Sequence, residues 1–262
     1  MSYWYRNKEG FPKVSLRERI NSSNMHQYQH EINQISKIEK DISLFYTRCK
    51  GLDGRTGTLK NFNMNPFSKE LLDNIDKKFN LIIKGRQLGI TYTLSTIALY
   101  NVLFLNKSVG IISYNIDGAI NILDRIKTMY VNLDEYLVYG VKKITSREIQ
   151  FNNGASIKAF GRLDNYSPDY ELTIIDEYDF IPTKWKGTFI TGICPRIASR
   201  IGDKLIIASS INGKSEYSME DLITNDDYQI YNFNVLTINC IDPIVKQFNR
   251  NRKINQILDE KS

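Results

Sequence analysis

Asn80-Leu-Ile-Ile-Lys84-Gly-Arg-Gln-Leu-Gly89-Ile-Thr91 is an apolar run of strand length that stops at a lysine, passes through a loop with two glycines and ends on a hydroxyl. A second stretch, Leu172-Thr-Ile-Ile-Asp176-Glu177, repeats the plan with two adjacent carboxylates at its end. Apolar strands that stop abruptly at polar groups are the signature of the carboxyl edge of a parallel sheet. Together the two stretches read as a nucleoside triphosphate site.

The first stretch departs from the pattern G-x-x-x-x-G-K-[ST], in which a strand feeds a loop whose N–H groups surround phosphates and whose hydroxyl reaches Mg²⁺. Gly89 and Thr91 fall where the second glycine and the hydroxyl belong, but Ile90 stands at the lysine position and Lys84 at the first glycine. A lysine is a mobile point charge on a long stem, so it can reach the same phosphate oxygens from the start of the loop. Residues 91–105 have helical composition, which places the loop at a helix N-terminus, where anions are favoured. A plain strand-turn-helix with surface cations would give the same local pattern.

The acidic pair narrows the choice. In ATPases an aspartate at this place orients Mg²⁺ and the following glutamate polarises the attacking water. A third run, Lys204-Leu-Ile-Ile-Ala208, ends in Ser209-Ser-Ile-Asn-Gly213 and sets hydroxyls, an amide and a glycine on the same edge. Lys84, Thr91, Asp176 and Glu177 are therefore the candidates for phosphate charge neutralisation, metal holding (Thr91 and Asp176) and water activation. Arg86 is assigned to transition-state charge or to bracing the empty loop through Glu177.

These residues resemble the ATPase domain of the large terminase subunit, the DNA-packaging motor of tailed bacteriophages. Lys84-Gly85-Arg86-Gln87-Leu88-Gly89-Ile90-Thr91 is similar to the family's deviant phosphate loop (Walker A), with its Arg-Gln-x-Gly core. Ile174-Ile-Asp-Glu-Tyr-Asp-Phe-Ile181 resembles its Walker B segment, and Ser209, Ser210, Asn212 and Gly213 its coupling motif. The order of elements between them follows the family, and the likeness covers roughly residues 60 to 225. It implies a P-loop NTPase of the additional-strand, catalytic-glutamate (ASCE) type, an α/β fold whose mostly parallel sheet is flanked by helices.

It also implies ATP and Mg²⁺ as cofactors, hydrolysis driving double-stranded DNA into a procapsid, and catalytic roles for Glu177 and Arg86. The implied partners are double-stranded DNA, the capsid portal protein, a small terminase subunit and other copies of the chain in a ring on the portal. Three departures bear on this reading. Ile211 replaces the coupling-motif proline, Ser68 follows Pro66-Phe67 where relatives carry a base-reading glutamine, and Asn165-Tyr166 occupies the place of an Arg-Gly pair. The residues after Gly213 are too few for the family's nuclease domain, and Asp226, Asp227, Asp242 and Asp259 are scattered. The corresponding expectation is either an isolated ATPase domain or a split gene whose nuclease is a separate polypeptide. Two alternatives remain open: a split or decayed terminase fragment acting as a non-catalytic binding module, and another helicase-like nucleic-acid ATPase.

Composition fits a cytosolic α/β protein. The net charge of +6, from 35 Lys and Arg against 29 Asp and Glu, is compatible with DNA without requiring it. The basic stretch Arg250-Asn-Arg-Lys253 reads as a solvated helix face. No run approaches a membrane span, and Met1-Ser-Tyr-Trp-Tyr-Arg6 lacks a secretory core, so the expected place is the host cytoplasm and, transiently, the procapsid portal. Cys49, Cys194 and Cys240 are far apart and read as reduced thiols.

Three parts are expected: an N-terminal helical extension over 1–58, an ATPase core over 59–225 and a linker over 226–262. Ile32, Ile35, Ile38, Ile42 and Phe45 recur at helical spacing, predicting one amphipathic helix from Met25 to Cys49. His26 and His30 share a face of it at metal-binding spacing, but no further ligand accompanies them. Glycines over 50–57 predict a turn or hairpin. Core strands are predicted at 81–84, 109–113, 149–151, 156–160, 172–175 and 205–208, with helices from about Thr91, Ile116 and Thr183. The tail carries a possible strand over 230–238 and a helix over 243–258.

Overall fold

A computed structural model describes residues 11–52, 56–85, 88–161, 166, 169–212 and 216–233. Short helices α1 (Leu16–Arg19), α2 (Gln29–Ile38) and α3 (Ile42–Arg48) lead into strands β1 (Lys50–Leu52) and β2 (Leu59–Asn61) and helix α4 (Pro66–Asn74). The phosphate-loop strand β3 (Phe79–Lys84) and helix α5 (Ile90–Phe104) follow, then β4 (Val109–Ile112) and α6 (Ile116–Val131). Strands β5 (Val141–Ile144), β6 (Glu148–Phe151) and β7 (Ser156–Phe160) precede β8 (Leu172–Asp176), which bears the acidic pair. Helices α7 (Thr183–Thr188) and α8 (Cys194–Ser199), β9 (Lys204–Ser209), α9 (Met219–Ile223) and β10 (Tyr228–Phe233) complete the described chain.

Eight strands form one sheet in the order β10-β3-β9-β8-β4-β7-β6-β5. Pairing is parallel from β10 through β7, while β6 and β5 add an antiparallel end. Strand β9 separates β3 from β8, the insertion expected of an additional-strand P-loop sheet. Every residue of β4 and β8 is buried, as continuous apolar strands covered on both faces must be.

Side-chain alternation divides the core in two. Ile82, Ile111, Leu172, Ile174, Ile206 and Ala208 face one cluster, with α5 and α6. Leu81, Ile83, Ile112, Ile175, Leu205 and Ile207 face the other, with α7, α8 and α9. Helix α5 is buried over most of its length, including Thr93, Ser95, Thr96 and Asn101. These polar side chains are satisfied by turning back onto its own helix: Ser95 Oγ donates to Thr91 O at 2.8 Å and Asn101 Nδ2 to Ile97 O at 2.8 Å.

Two sequence expectations change and one is met. The single helix over 25–49 is a 3-10 turn at Met25–Tyr28 followed by α2 and α3, broken at Lys40-Asp41, where Asp41 caps Ser43 N at 2.8 Å. The apolar spacing persisted across the break because both helices bury the same side. The turn or hairpin expected over 50–57 is met by the antiparallel β1–β2 pair. The tail strand expected over 230–238 is β10, which begins two residues earlier, at Tyr228, and pairs in parallel with β3, so the main sheet runs on past residue 225; residues 234–238 lie outside the described residues. The 243–258 helix, Arg250–Lys253, Asp242, Asp259 and Cys240 lie outside the described residues. Among the described residues no helix is long and apolar enough to cross a membrane, and no group of three potential metal-ligating side chains occurs.

Glu18 binds the N-terminal segment to the antiparallel end of the sheet. Its carboxylate accepts from Ser15 N at 2.7 Å, Gly140 N at 2.6 Å and Asn152 Nδ2 at 2.7 Å. Burial pushes its pKa up, but the hydrogen bonds from Ser15, Asn152 and Gly140 outweigh burial and hold it below the usual value. A carboxyl depressed in the folded state stabilises fully above its unfolded pKa of about 4.3, and the contribution is lost as pH falls through the folded value. Glu18→Gln is expected to cost about 2 kcal/mol at pH 7 in urea denaturation, with the gap from the parent closing on acidification below about pH 4. An unchanged gap across that range would refute the assignment.

Candidate nucleotide site

Period-2 alternation decides which strand-end groups meet. Lys84 continues the row of Ile82, and Asp176 continues the row of Leu172 and Ile174, so both emerge on the face covered by α5. Ala208 of β9 is the register partner of both Ile82 and Asp176. Its small side chain leaves room for the lysine stem to cross the intervening strand. Lys84 Nζ donates to Asp176 Oδ1 at 2.6 Å and to Glu177 Oε1 at 2.9 Å. Thr91 Oγ1 donates to Asp176 Oδ2 at 3.2 Å.

Lys84 and Asp176 are 7% and 4% exposed, so the ion pair is shielded from water. Burial pulls the Lys84 pKa down, but the charges and hydrogen bonds of Asp176 and Glu177 outweigh it and raise it above the ordinary value. The ammonium is therefore charged at neutral pH. Glu177 has φ +56°, a left-handed conformation uncommon for a side-chain-bearing residue, and its N–H donates to Asp176 Oδ1 at 3.1 Å. The backbone turns there, and the two carboxylates present different directions to the same lysine.

The loop is anchored at its far end. Gly89, the N-cap of α5, has φ +77°, a conformation glycine adopts without steric cost, and it offers the helix no side-chain acceptor. Asn65 caps α4 through Ser68 N at 2.8 Å and donates from Nδ2 to Leu88 O at 3.1 Å. Ile90, at the usual lysine position, is 2% exposed and belongs to the core. Gly85 N donates to Phe233 O of β10 at 3.5 Å. Arg86, Gln87 and Gly213 lie outside the described residues.

The groups open on a cavity of about 1200 Å³, against roughly 300–1,000 Å³ for small-molecule sites. Lys84, Gly85, Thr91, Glu177 and Ser210 line its polar side, while Lys60, Phe62 and Tyr92 contribute to the wall nearest β1 and β2. Asp176, Glu177 and Thr91 bring together hard oxygens of the kind that Mg²⁺ takes, and an ammonium already sits between the two carboxylates. The residues present therefore fit a metal-bound triphosphate. Thr91 and Asp176 could hold the ion.

The Ser209–Asn212 segment divides between the faces. Ser209 continues the row of Leu205 and Ile207 onto the face away from α5, is fully buried, and accepts from Asp179 N at 3.1 Å. Ser210 lines the cavity, and Asn212 N donates to Asp179 Oδ2 at 2.9 Å. Ile211, in the proline position, packs partly buried against the core of that face. Tyr166 is buried against Phe160, shares a hydrogen bond with Thr173 Oγ1, and lies so close to Gly110 that a Cβ there would meet it at 2.5 Å. Asn165 lies outside the described residues. Pro66 opens α4 and Ser68 is buried, its hydroxyl 2.8 Å from Thr93 Oγ1. Asp226 and Asp227 lie in the turn before β10, and His26 and His30 are exposed.

Sequence reasoning missed Asn65, Ala208, Asp179 and Lys186. Asn65 was legible as a cap two residues before Phe67, but nothing in the sequence ties it to Leu88. Asp179 stood within the quoted acidic segment as linker, and its burial with Lys186 depends on the fold.

No protein-family model matches the chain. The ATPase domain of the large terminase of Thermus phage P74-26 superposes with a TM-score of 0.53 at 17% identity, covering 66% of this chain and 81% of that one. The large terminase of bacteriophage HK97 superposes with a TM-score of 0.54 at 14% identity, covering 75% of this chain and 43% of that one. The fold is that of the large-terminase ATPase domains, an α/β P-loop sheet flanked by helices. The chain spans less than half the length of the HK97 protein in that comparison.

Removing the Lys84 charge leaves Asp176 buried and unpaired. Lys84→Met is expected to cost about 3 kcal/mol in urea denaturation at pH 7, and adding Asp176→Asn should recover much of it. Simple additivity of the two single losses would show that the pair is not coupled.

Proposed function

We propose that this chain is the ATP-hydrolysing motor domain of a viral large terminase, using Mg²⁺ and ATP to move double-stranded DNA into a procapsid. The observation that carries the reading is Lys84 held between Asp176 and Glu177 beside the N-terminus of α5. The fold, with one strand between the lysine strand and the acidic strand, supports it.

Each residue then has a task. Lys84 exchanges its carboxylate partners for β/γ-phosphate oxygens, a transfer that its long stem allows. Thr91 and Asp176 hold Mg²⁺, which when bound neutralises charge on the phosphate oxygens. Released from Lys84, Glu177 accepts a proton from the attacking water, and its left-handed backbone directs the carboxylate away from the Asp176 row. Gly89 and the N–H groups opening α5 receive phosphate charge. Arg86 is assigned to charge developing in the transition state, with Gln87 and Gly85 completing the loop. Ser209, Ser210, Asn212 and Gly213 respond to loss of the γ-phosphate. The partners in this reading are DNA, the portal, a small terminase subunit and a ring of copies of the chain, at the procapsid in the host cytoplasm.

The test is Mg²⁺-dependent ATP hydrolysis by the purified chain beside Glu177→Gln, with and without double-stranded DNA. Turnover should fall about 100-fold or more in the variant while nucleotide affinity is retained, and DNA should raise the parent rate. Nucleotide bound equally by both proteins with no difference in turnover would replace the motor with a non-catalytic binding module. Absence of nucleotide binding would overturn the reading.

A further inference from the structure

Asp179 and Lys186 form a second buried ion pair that the phosphate-site chemistry does not use, each side chain 1% exposed. Asp179 lies in the 3-10 turn Tyr178–Phe180, immediately beyond Glu177 and its left-handed backbone. Oδ2 accepts from Asn212 N at 2.9 Å, and Oδ1 accepts from Met219 N at 2.8 Å. Lys186 Nζ donates to Asp179 O at 3.1 Å and approaches Oδ1 at 3.5 Å. The Asp179 N–H donates to Ser209 Oγ at 3.1 Å. One residue thus joins the turn after Glu177 to the end of β9, the loop beyond it and the first residue of α9.

Neighbouring contacts close the joint. Lys186 Nζ lies 5.1 Å from the Tyr178 ring centroid, and Tyr178 Oη donates to Tyr217 O at 2.9 Å. Helix α9 has a Ser218–Asp221 capping box and buries Met219, Leu222 and Ile223 in the face-two core beside β3 and β10. A buried ion pair is weak evidence for stability, because well-packed apolar residues often serve as well. What a carboxylate supplies here is direction: two oxygens fix two backbone N–H groups from separate segments relative to Glu177. The left-handed Glu177 backbone must be held by its surroundings, and this turn is its downstream support.

We propose that Asp179, braced by Lys186, is a positioning residue that sets the Glu177 turn and links its state to segment 209–212 and helix α9. Exchange of Glu177's partner from Lys84 to water displaces the turn, and the carboxylate carries that displacement to the Asn212 and Met219 amides. This inference rests on the nucleotide-hydrolysing reading above. It adds a joint on the face of the sheet opposite α5, from which α9 leads to β10.

Hydrogen exchange of the full chain, with and without Mg²⁺ and the non-hydrolysable analogue AMP-PNP, tests the link directly. In the parent, the analogue should change exchange at the Asn212 and Met219 amides. Asp179→Asn keeps the volume and one acceptor, and Asp179→Asn with Lys186→Met removes both charges and leaves no unpaired ion. Either folded variant should bind the analogue within about threefold of the parent, lose the nucleotide-dependent change over 209–223, and show kcat lowered about tenfold with little change in KM. Retention of the parent response and kcat in a folded variant overturns the inference. So does a parent in which bound analogue leaves both amides unchanged, a result that needs no variant. A parent that binds no analogue overturns the nucleotide reading itself, which separates the two failures.

Discussion

The site depends on a lysine crossing one strand to reach two carboxylates. Lys84 and Asp176 end strands that are not neighbours, and they meet because alternation puts both on the α5 face and Ala208 leaves the intervening position open. A one-residue slip in β3 or β8 would turn one partner to the opposite face, so site formation and correct sheet register are a single requirement. The three groups carry a summed charge of −1, with Lys84 protonated. A triphosphate entering that field needs further positive charge, which the metal and the free end of α5 supply in the proposed reaction.

The core strands were legible because buried parallel strands read as continuous apolar runs, and each stopped at polar groups that marked the same edge. The starts of α5 and α6 were legible for related reasons: Gly89 ends the loop, and Asn115 caps Gly118 N at 2.8 Å. The break between α2 and α3 was not, since both helices bury a common stripe and Asp41 could as readily be an exposed position on one long helix. Strand β5 was missed because Val141-Lys-Lys-Ile144 is an edge strand with two exposed lysines, a composition that protects an edge and hides a strand.

Within the site, the identities of Lys84, Thr91, Asp176 and Glu177 could be read from strand ends, but their partners could not. Pattern matching made Ile90 a lost functional position; its burial makes it a core residue, and the lysine of the site stands at the end of the strand instead. The same limit applies to Asp179 and Lys186. Two ionisable residues in otherwise ordinary segments become a buried pair only when the turn after Glu177 folds back on α7.

The two faces of the sheet therefore hold polar groups of different kinds. On the α5 side, Lys84 and Thr91 line a cavity and are hydrogen-bonded to Asp176 just behind it, contacts that the proposed reaction exchanges for a ligand. On the other side, Ser209, Asp179 and Lys186 are closed off from water and bonded largely to backbone, so their contacts can shift only if whole segments move. Glu177 stands at the passage between the two sets, bonded to Lys84 through its side chain and joined to Asp179 through the turn. In the proposed mechanism an exchange of ligands on one face becomes a displacement of secondary structure on the other, because a packed core resolves strain by moving elements rather than by compressing them.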